Sequence, residues 1–294
     1  MRQFVAITKK LKWLGVLGIL GYITPYTPLK LLALIWLVCV FEILYDWSLI
    51  GQSLLQIAGM PVTYIIFRGK LPSKTNYKLK NSYILPFKGK WTVVNGSTDK
   101  ELSHSWSIPS QRYAYDFLIV DDEGMSYQGD NLSPQSYYCY GKDIIAPCEG
   151  MIVDLKDGYE DSLIDGKGGA DCRAKDIRGN YILIKHSHNE YSLIAHIMRN
   201  SLLVKIGDKV KQGQVIAQSG NTGNTSEPHI HFQLQSGKSF YFSPGLPVGF
   251  KNISAIKKSN YSVFDPRKTQ ENVETIEDCT YIGRGWQVEN NLPA

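Results

Sequence analysis

The sequence lacks the patterns that mark nucleic-acid-binding proteins. Its net charge is only +5 over 294 residues, and it has no arginine-rich helix, no ribonucleoprotein-type strand and no zinc-finger spacing. Charged residues make up 20% of the chain and hydrophobic residues 43%, which excludes a disordered protein and is typical of a folded one. The mild basic excess suits an anionic surface such as a cell envelope, so we expect no nucleic-acid partner.

Cysteine is also scarce, and none of it occurs in a CxxC pair, so a zinc knuckle is excluded. The five cysteines are Cys39, Cys139, Cys148, Cys172 and Cys279. Cys39 lies in an apolar run and is predicted to be inert. The other four are predicted to be free, partly buried thiols, with one or two disulfides as the alternative if the domain faces an oxidising space.

Helical periodicity is missing beyond residue 70. Short apolar runs alternate there with turn signals, for example Trp91–Val94 before Asn95-Gly96. A hairpin is predicted to join residues 181–185 to residues 191–196, and 281–288 is a candidate last strand. We therefore predict an all-β domain, a sandwich or open barrel, over residues 86–250. A polar linker (71–85) precedes it, and a C-terminal extension (251–294) follows.

Residues 1–70 contain three uncharged, mostly apolar windows, at 13–29, 31–41 and 47–67. A membrane span needs about 20 apolar residues. Each window is marginal alone, but together they predict an α-helical membrane anchor of one to three hydrophobic segments. A cleaved signal peptide is disfavoured because the apolar region is too long and shows no small-residue cleavage site.

The charge pattern gives two conflicting orientations for this anchor. The basic N-terminus should stay cytoplasmic, and three spans would then place the rest of the chain outside. The same rule favours the cytoplasmic side for five basic residues after the third window. These are Arg68, Lys70, Lys74, Lys78 and Lys80.

The most informative stretch is Pro228-His229-Ile230-His231-Phe232, with two histidines inside an apolar run. On a β-strand, residues two apart share a face, so His229 and His231 would present two imidazoles side by side. Paired imidazoles on a rigid strand suit a metal site, or a metal ligand beside a proton-handling group. The alternative is a surface strand that happens to carry two histidines.

Asp116 is the candidate acidic ligand. It lies within the strongly β segment 113–120, where a half-buried carboxylate calls for a compensating cation. The alternative places it on the solvent face. If 102–107 and 113–118 form a hairpin about residues 109–111, His104 lies directly opposite Asp116, with Cβ atoms about 5 Å apart. We therefore predict that His104 and Asp116 bind one ion.

These motifs, in this order, resemble the lysostaphin-type zinc metallopeptidases over about half the chain. The matching pieces are the Asp116 strand, Ile145-Ala146-Pro147 with Glu149-Gly150, Gly179–His186, Ser192–His196, Val204–Gln214, Gly220–Gly223 and Pro228–Phe232. The family's usual histidine four residues before the aspartate is Arg112 here. The segment Gln111–Asp116 resembles a branch in which that histidine lies further upstream, and His104 is the upstream candidate.

The resemblance implies a lysostaphin-type β-sheet or barrel-sandwich domain and one Zn²⁺ per chain, held by His104, Asp116 and His231. His196 and His229 would be the catalytic pair that orients the attacking water and stabilises the developing oxyanion. The implied activity is a zinc metalloendopeptidase that hydrolyses peptide stems or cross-bridges of bacterial peptidoglycan. With the anchor in a lipid bilayer, the domain would lie at the bacterial cell membrane and face the extracytoplasmic side.

Other predictions concern the remaining histidines and two alternative functions. His186 is predicted to be structural and His188 exposed. A non-catalytic cell-wall-binding or regulatory module with the same fold is the main alternative to an enzyme. A lipoyl-like carrier built on residues 204–218 is the second, but it lacks the exposed lysine at a hairpin tip and leaves the histidines unexplained.

Overall fold

A computed structural model describes residues 7, 10–37, 47–170 and 174–291. The predictions for Cys39 and Cys172 lie outside these described residues. The chain forms two compact units, Met1–Leu54 and Leu55–Ala294. Among the described cysteines, Cys139 and Cys148 are buried free thiols and Cys279 is a partly exposed one.

The first unit is helical. A 3₁₀ turn at Lys12–Val16 leads into α1 (Leu17–Ile23), and a 3₁₀ helix follows at Thr27–Leu37. Glycine at position 18 permits close packing between these segments, because a Cβ atom there would lie 2.5 Å from the backbone nitrogen of Ala33. The unit also contains the beginning of α2 (Trp47–Ile66).

Helix α2 matches the third uncharged window of the sequence. It is the one helix in the described part of the chain that is long and apolar enough to cross a membrane, with a mean hydropathy of 1.4 over its best window. Two shorter apolar helices, Lys12–Ile23 and Thr27–Leu37, overlap the first two windows.

The second unit is mostly β, as predicted. Its strands, in chain order, are β1 (Trp91–Asn95), β2 (Tyr115–Leu118), β3 (Asp143–Ile145), β4 (Gly150–Lys156), β5 (Tyr181–Ser187), β6 (Glu190–Ala195), β7 (Lys209–Val210), β8 (Val215–Gln218), β9 (Ile230–Gln235), β10 (Ile253–Lys257), β11 (Glu274–Ile276), β12 (Cys279–Tyr281) and β13 (Trp286–Asn290). A short helix, α3 (Tyr261–Phe264), lies between β10 and β11, and 3₁₀ turns occur at Pro109–Gln111 and Pro134–Ser136.

Nine of these strands form one sheet in the order β10-β13-β1-β2-β9-β6-β5-β4-β7. The pairs β11-β12 and β3-β8 form two small sheets. Strand β9 is central, and its alternate residues Ile230, Phe232 and Leu234 are fully buried in the main apolar core. The intervening residues therefore face the other side of the sheet, where His231 and Gln233 are buried among polar groups.

The sequence located most strands but made one clear error. The hairpin predicted between 102–107 and 113–118 is wrong, because residues 102–107 form turns and no strand. Strand β2 is bonded along both edges, to β1 and to β9, so no edge remains for another partner. The segment predicted as a last strand, 281–288, is divided by a turn between β12 and β13.

The residues predicted as a linker are held on the sheet by a buried carboxylate. Glu190 is fully buried and accepts hydrogen bonds from Tyr77 Oη (3.0 Å), the Lys80 backbone nitrogen (2.7 Å), Asn81 Nδ2 (2.7 Å) and Tyr83 Oη (2.8 Å). A buried charge is tolerated when its acceptor capacity is met in this way. Residues 77–83 are therefore an ordered part of the domain.

Candidate active site

Two candidate ligands come from neighbouring central strands. Asp116 of β2 and His231 of β9 are directly opposed in the antiparallel register. Side chains of such a pair lie on the same face, about 5 Å apart at Cβ. The distance between His231 Nδ1 and Asp116 Oδ1 is 2.9 Å. Two bonded strands thus bring the carboxylate and the imidazole together.

The third candidate, His104, reaches the same carboxylate from a loop. Its Nε2 lies 3.2 Å from Asp116 Oδ2, while its Nδ1 pairs with Ser105 Oγ at 2.9 Å. The loop is closed by a hydrogen bond from Ser103 Oγ to the Arg112 carbonyl at 2.6 Å. The predicted pairing of His104 with Asp116 is therefore present, although the predicted hairpin that suggested it is not.

Arg112, at the position of the family's usual histidine, supports this loop rather than the ion site. Its guanidinium lies 4.5 Å from the ring centre of Trp106, and its Nε donates to the Trp106 carbonyl at 3.0 Å. Its Nη2 donates to Tyr64 Oη, near the end of α2, at 3.0 Å. The side chain is buried, so these contacts help to compensate for its charge.

A chain of amides fixes the protonation of His231. Gln235 Nε2 donates to the Gly237 carbonyl, so Gln235 Oε1 accepts from Gln233 Nε2 at 2.7 Å. Gln233 Oε1 is then the acceptor that faces His231 Nε2 at 3.1 Å, and the imidazole proton must lie on Nε2. In the neutral ring, Nδ1 carries a lone pair directed at Asp116.

Two acceptors that face each other at 2.9 Å require a cation between them or a proton on Nδ1. One ligand atom from each of His104, Asp116 and His231 lies within 4.8 Å of the others. Zinc bonds near 2.0–2.1 Å in a tetrahedron place ligand atoms roughly 3.3 Å apart, close to the 3.2 Å and 2.9 Å pairs seen here. The donor set and its geometry therefore fit a zinc ion.

The carboxylate of Asp116 is stabilised in its ionised form. Burial by itself raises its pKa, but the imidazoles of His104, His231 and His229 together hold the pKa well below its usual range. The site therefore keeps an anionic ligand at neutral pH, which a divalent cation requires.

Two further residues that the sequence did not predict orient this carboxylate. Asn95 Nδ2 donates to Asp116 Oδ2 at 3.2 Å, and Asn95 Oδ1 accepts from Arg284 Nη2 at 2.8 Å. The sequence favoured a turn at Asn95-Gly96, but Asn95 ends β1, opposite Asp116. A Cβ at Gly96 would lie 2.2 Å from the Ala114 carbonyl, so only glycine permits this approach of the two strands.

His196 lies beside the three ligands in a backbone conformation that is rare for a non-glycine residue, with φ at 63°. Its backbone nitrogen donates to the Arg178 carbonyl, and its carbonyl accepts from Gly220, which maintains this conformation. Its Nδ1 donates to the Thr222 carbonyl at 2.7 Å, leaving Nε2 with a lone pair. Burial and the imidazoles of His229 and His231 lower the pKa of His196 well below its ordinary value.

His229 is arranged in the same way just before β9. Its Nδ1 donates to the Glu227 carbonyl at 2.8 Å, so its Nε2 is also free of a proton in the neutral ring. That Nε2 lies 3.7 Å from Asp116 Oδ1, and the ring centre is 4.6 Å from that of His196. The structure therefore brings together all five residues that the sequence singled out.

The other two histidines lie outside this cluster. His186 Nδ1 donates to the Glu149 carbonyl at 2.7 Å, and Nε2 lies 2.8 Å from Ser192 Oγ. Burial lowers the pKa of His186, so it is neutral. His188 lies at the β5–β6 turn and is exposed, as predicted.

Comparison with known proteins agrees with this geometry. Residues 137–242 match the sequence model of Peptidase family M23. The chain contains an M23 peptidase domain. The matched range includes His196, His229 and His231, whereas Asp116 and His104 precede it and are brought to the site by the fold.

Curated relatives match part of the chain. The peptidoglycan DD-endopeptidase ShyC of Vibrio cholerae is 44% identical over 94 residues, which make up 32% of this chain and 19% of ShyC. The murein hydrolase activator NlpD of Salmonella dublin is 31% identical over 138 residues, 47% of this chain and 31% of NlpD. The chain thus spans less than a third of the length of either protein.

Among solved structures, the catalytic domain of the antimicrobial peptidase lysostaphin from Staphylococcus simulans is 22% identical. The likeness covers 58% of this chain and 90% of that domain, with a TM-score of 0.30.

Proposed function

We propose that the protein is a zinc metalloendopeptidase that hydrolyses peptide bonds in peptidoglycan. The observation that carries the proposal is the placement of His196 and His229, each with a lone pair on Nε2, beside the candidate ligands His104, Asp116 and His231. A binding module has no need of two imidazoles whose tautomers are fixed by backbone carbonyls.

The three ligands would hold the ion, which supplies water with a pKa near 7 and polarises the scissile carbonyl. His196 and His229 accept hydrogen bonds from the attacking water at Nε2 and take its proton. An imidazole that has taken a proton becomes a donor, able to stabilise negative charge on the carbonyl oxygen or to protonate the leaving amine. The carbonyls of Thr222 and Glu227 hold both rings in place during these transfers.

The name of the relative ShyC supports peptidoglycan as the substrate. Helix α2 supports attachment to a lipid bilayer, since its length and composition suffice for one span. Peptidoglycan lies outside the cytoplasmic membrane, so the domain would face the extracytoplasmic side. Protease treatment of intact spheroplasts and of lysed spheroplasts tests this orientation, and protection of the domain in intact spheroplasts that is lost on lysis is not compatible with it.

Substitution of ligand and non-ligand residues tests the mechanism. His231→Ala and Asp116→Asn should abolish both zinc retention and peptidoglycan hydrolysis. His196→Ala should retain zinc and lose about 10²–10⁴-fold in kcat, the usual contribution of a general base. Metal analysis and release of peptide fragments from purified peptidoglycan measure the two effects. Full hydrolysis by either ligand variant would exclude the proposal.

The second candidate function is a non-catalytic module that regulates other hydrolases, as suggested by the similarity to the murein hydrolase activator NlpD. It predicts purified protein that stimulates a separate hydrolase without cleaving peptidoglycan alone. Near-stoichiometric zinc together with hydrolysis lost in His196→Ala favours the enzyme. Absence of zinc together with stimulation favours the module.

A further inference from the structure

The second half of helix α2 packs against the loop that follows β9. We call this loop, residues 236–245, the exit loop. Gly59 and Thr63, one helical turn apart, are buried, whereas Ile65 is 75% exposed. A Cβ atom at Gly59 would lie 2.2 Å from the carbonyl oxygen of Tyr241. The helix backbone therefore approaches the exit loop so closely that only glycine fits at this position.

Thr63 extends the contact along the exit loop. It is fully buried, and its Oγ1 lies 3.5 Å from the carbonyl oxygen of Phe242. The Phe242 backbone nitrogen donates to Ser239 Oγ at 3.2 Å, and the Ser243 backbone nitrogen donates to the Ser239 carbonyl at 3.2 Å. A displacement of the exit loop at Phe242 would therefore also move Ser239.

The chain of amides that fixes His231 ends in the exit loop. Gln235 Nε2 donates to the Gly237 carbonyl at 2.7 Å and lies 3.4 Å from the Ser239 carbonyl oxygen. This orientation presents Gln235 Oε1 to the amide of Gln233. Gln233 in turn directs the proton of His231 to Nε2. The exit loop is thus part of the support of a candidate zinc ligand.

Helix α2 also contacts the support of the loop that carries His104. Arg112 Nη2 donates to Tyr64 Oη at 3.0 Å, and the same guanidinium lies over the ring of Trp106, two residues after His104. Arg112 is buried together with its charge, so loss of one of its partners is costly. The last turns of α2 therefore contact the supports of both candidate histidine ligands, His104 and His231.

We infer that the second half of α2 is a positioning element of the metal centre, with Gly59 acting through the exit loop and Tyr64 through Arg112. Its contacts hold the histidine ligands in place before the ion binds, so less free energy is lost in ordering them on binding. The inference rests on the proposed zinc centre and extends its support to a helix that lies outside the range matched to the M23 family.

Two glycine substitutions within α2 test the inference on the detergent-solubilised full-length protein. Gly59→Ala places a methyl group against the Tyr241 carbonyl and should weaken zinc binding about tenfold, the lower end of the losses seen when the support of a metal ligand is disturbed. Gly51→Ala is the matched control, because a Cβ there would meet no other atom of the described residues within 4 Å, apart from the helix backbone. Both changes raise helix propensity equally, by about 1 kcal/mol.

A tyrosine pair tests the second contact with a smaller change. Tyr64→Phe removes the hydroxyl that accepts from Arg112 and should weaken zinc binding about fivefold, the loss expected for one hydrogen bond. Tyr26→Phe, at an exposed tyrosine, should leave the affinity unchanged. Competition with a chelator measures all four affinities. The visible spectrum of the cobalt-loaded protein, which reports ligand geometry, should change in Gly59→Ala and Tyr64→Phe alone.

Equal zinc affinities of Gly59→Ala and Gly51→Ala would overturn the inference and leave the proposed function intact. If Gly59→Ala does not fold, a Tyr64→Phe affinity equal to that of Tyr26→Phe has the same consequence. Weaker binding with an unchanged cobalt spectrum would limit α2 to a role in stability, which also contradicts the inference. A wild-type protein that binds no zinc would exclude the proposed function, and the inference with it.

Discussion

Asp116 and His231 reach the candidate metal centre from paired central strands, whereas His104 reaches it from a loop. The two strand residues are placed by backbone hydrogen bonds, because β2 and β9 are each paired with a neighbouring strand on both edges. The loop residue is placed by side chains, namely the Ser103 hydroxyl and the stacking of Arg112 on Trp106. A sheet fixes a ligand through many small contacts, but a loop depends on a few identifiable ones.

The two histidines of the His-Ile-His motif, His229 and His231, combine both modes. His229 and His231 flank the start of one strand, yet His229 is oriented by the carbonyl of the preceding loop and His231 by a side-chain amide on its own strand. In the proposed mechanism His229 exchanges protons, whereas His231 keeps its lone pair directed at the ion. Their different supports fit these two roles.

Removal of the loop ligand His104 should give the largest change in zinc affinity among the tests of this comparison. Four-ligand structural zinc sites bind with about 10–16 kcal/mol, so one ligand contributes roughly 3 kcal/mol, on the order of 10²–10³-fold in affinity. We expect His104→Ala to weaken zinc binding by this factor, as measured by competition with a chelator. His188→Ala, an exposed histidine, is the control. Unchanged zinc affinity in His104→Ala would remove His104 from the ligand set.

The supports of the two ligands should differ in importance. Gln233→Ala leaves the tautomer of His231 unset, and such changes cost about 10–100-fold in metal affinity. Ser103→Ala removes one neutral hydrogen bond from the loop, worth about 1 kcal/mol or roughly fivefold. Chelator competition on both variants measures the ratio. A larger effect from Ser103→Ala would reverse the comparison and make the loop the critical support.

His186 should show the smallest effect on the metal site, since its substitution acts on folding instead. Burial lowers its pKa, so the unfolded chain, with a histidine pKa of about 6.5, binds the proton more readily than the folded one. Its contribution to stability is therefore complete above pH 6.5 and declines as pH falls towards the folded pKa. We expect His186→Gln to lower the free energy of unfolding by about 1–2 kcal/mol at pH 7.5.

Urea unfolding at pH 7.5 and at pH 5.5 measures this contribution. The difference in the free energy of unfolding between wild-type and His186→Gln proteins should shrink at the lower pH, because protonation of His186 favours the unfolded wild-type chain. Protonation of the metal ligands affects both proteins equally and cancels in this difference. A difference that grows on acidification would mean that the folded state binds the proton of His186 more tightly than the unfolded chain.

Much of the fold followed from local pattern. Short apolar runs bounded by turn residues predicted β5 and β6, and the two histidines two residues apart predicted β9, because such patterns are local properties of the chain. Residues 251–278 are weakly patterned and gave no such signal, and the strand predicted at 281–288 overlaps β12 and β13 only in part. The structure places β10 and β13 from this region in the nine-stranded sheet. Their pairing joins residues far apart in the chain, so their position in the sheet next to β1 could not be predicted from local pattern.

The sequence alone determined which residue types the site contains: an aspartate in a β segment, two histidines two apart, and a further histidine after a β strand. The tertiary structure decided how they meet. It opposed Asp116 to His231 across two strands, brought His104 in from a loop that local pattern had assigned to a hairpin, and added Asn95, Gln233 and Arg284. The sequence specifies which residues are present, but register and loop closure depend on hydrogen bonds between residues far apart in the chain. No local pattern records these hydrogen bonds.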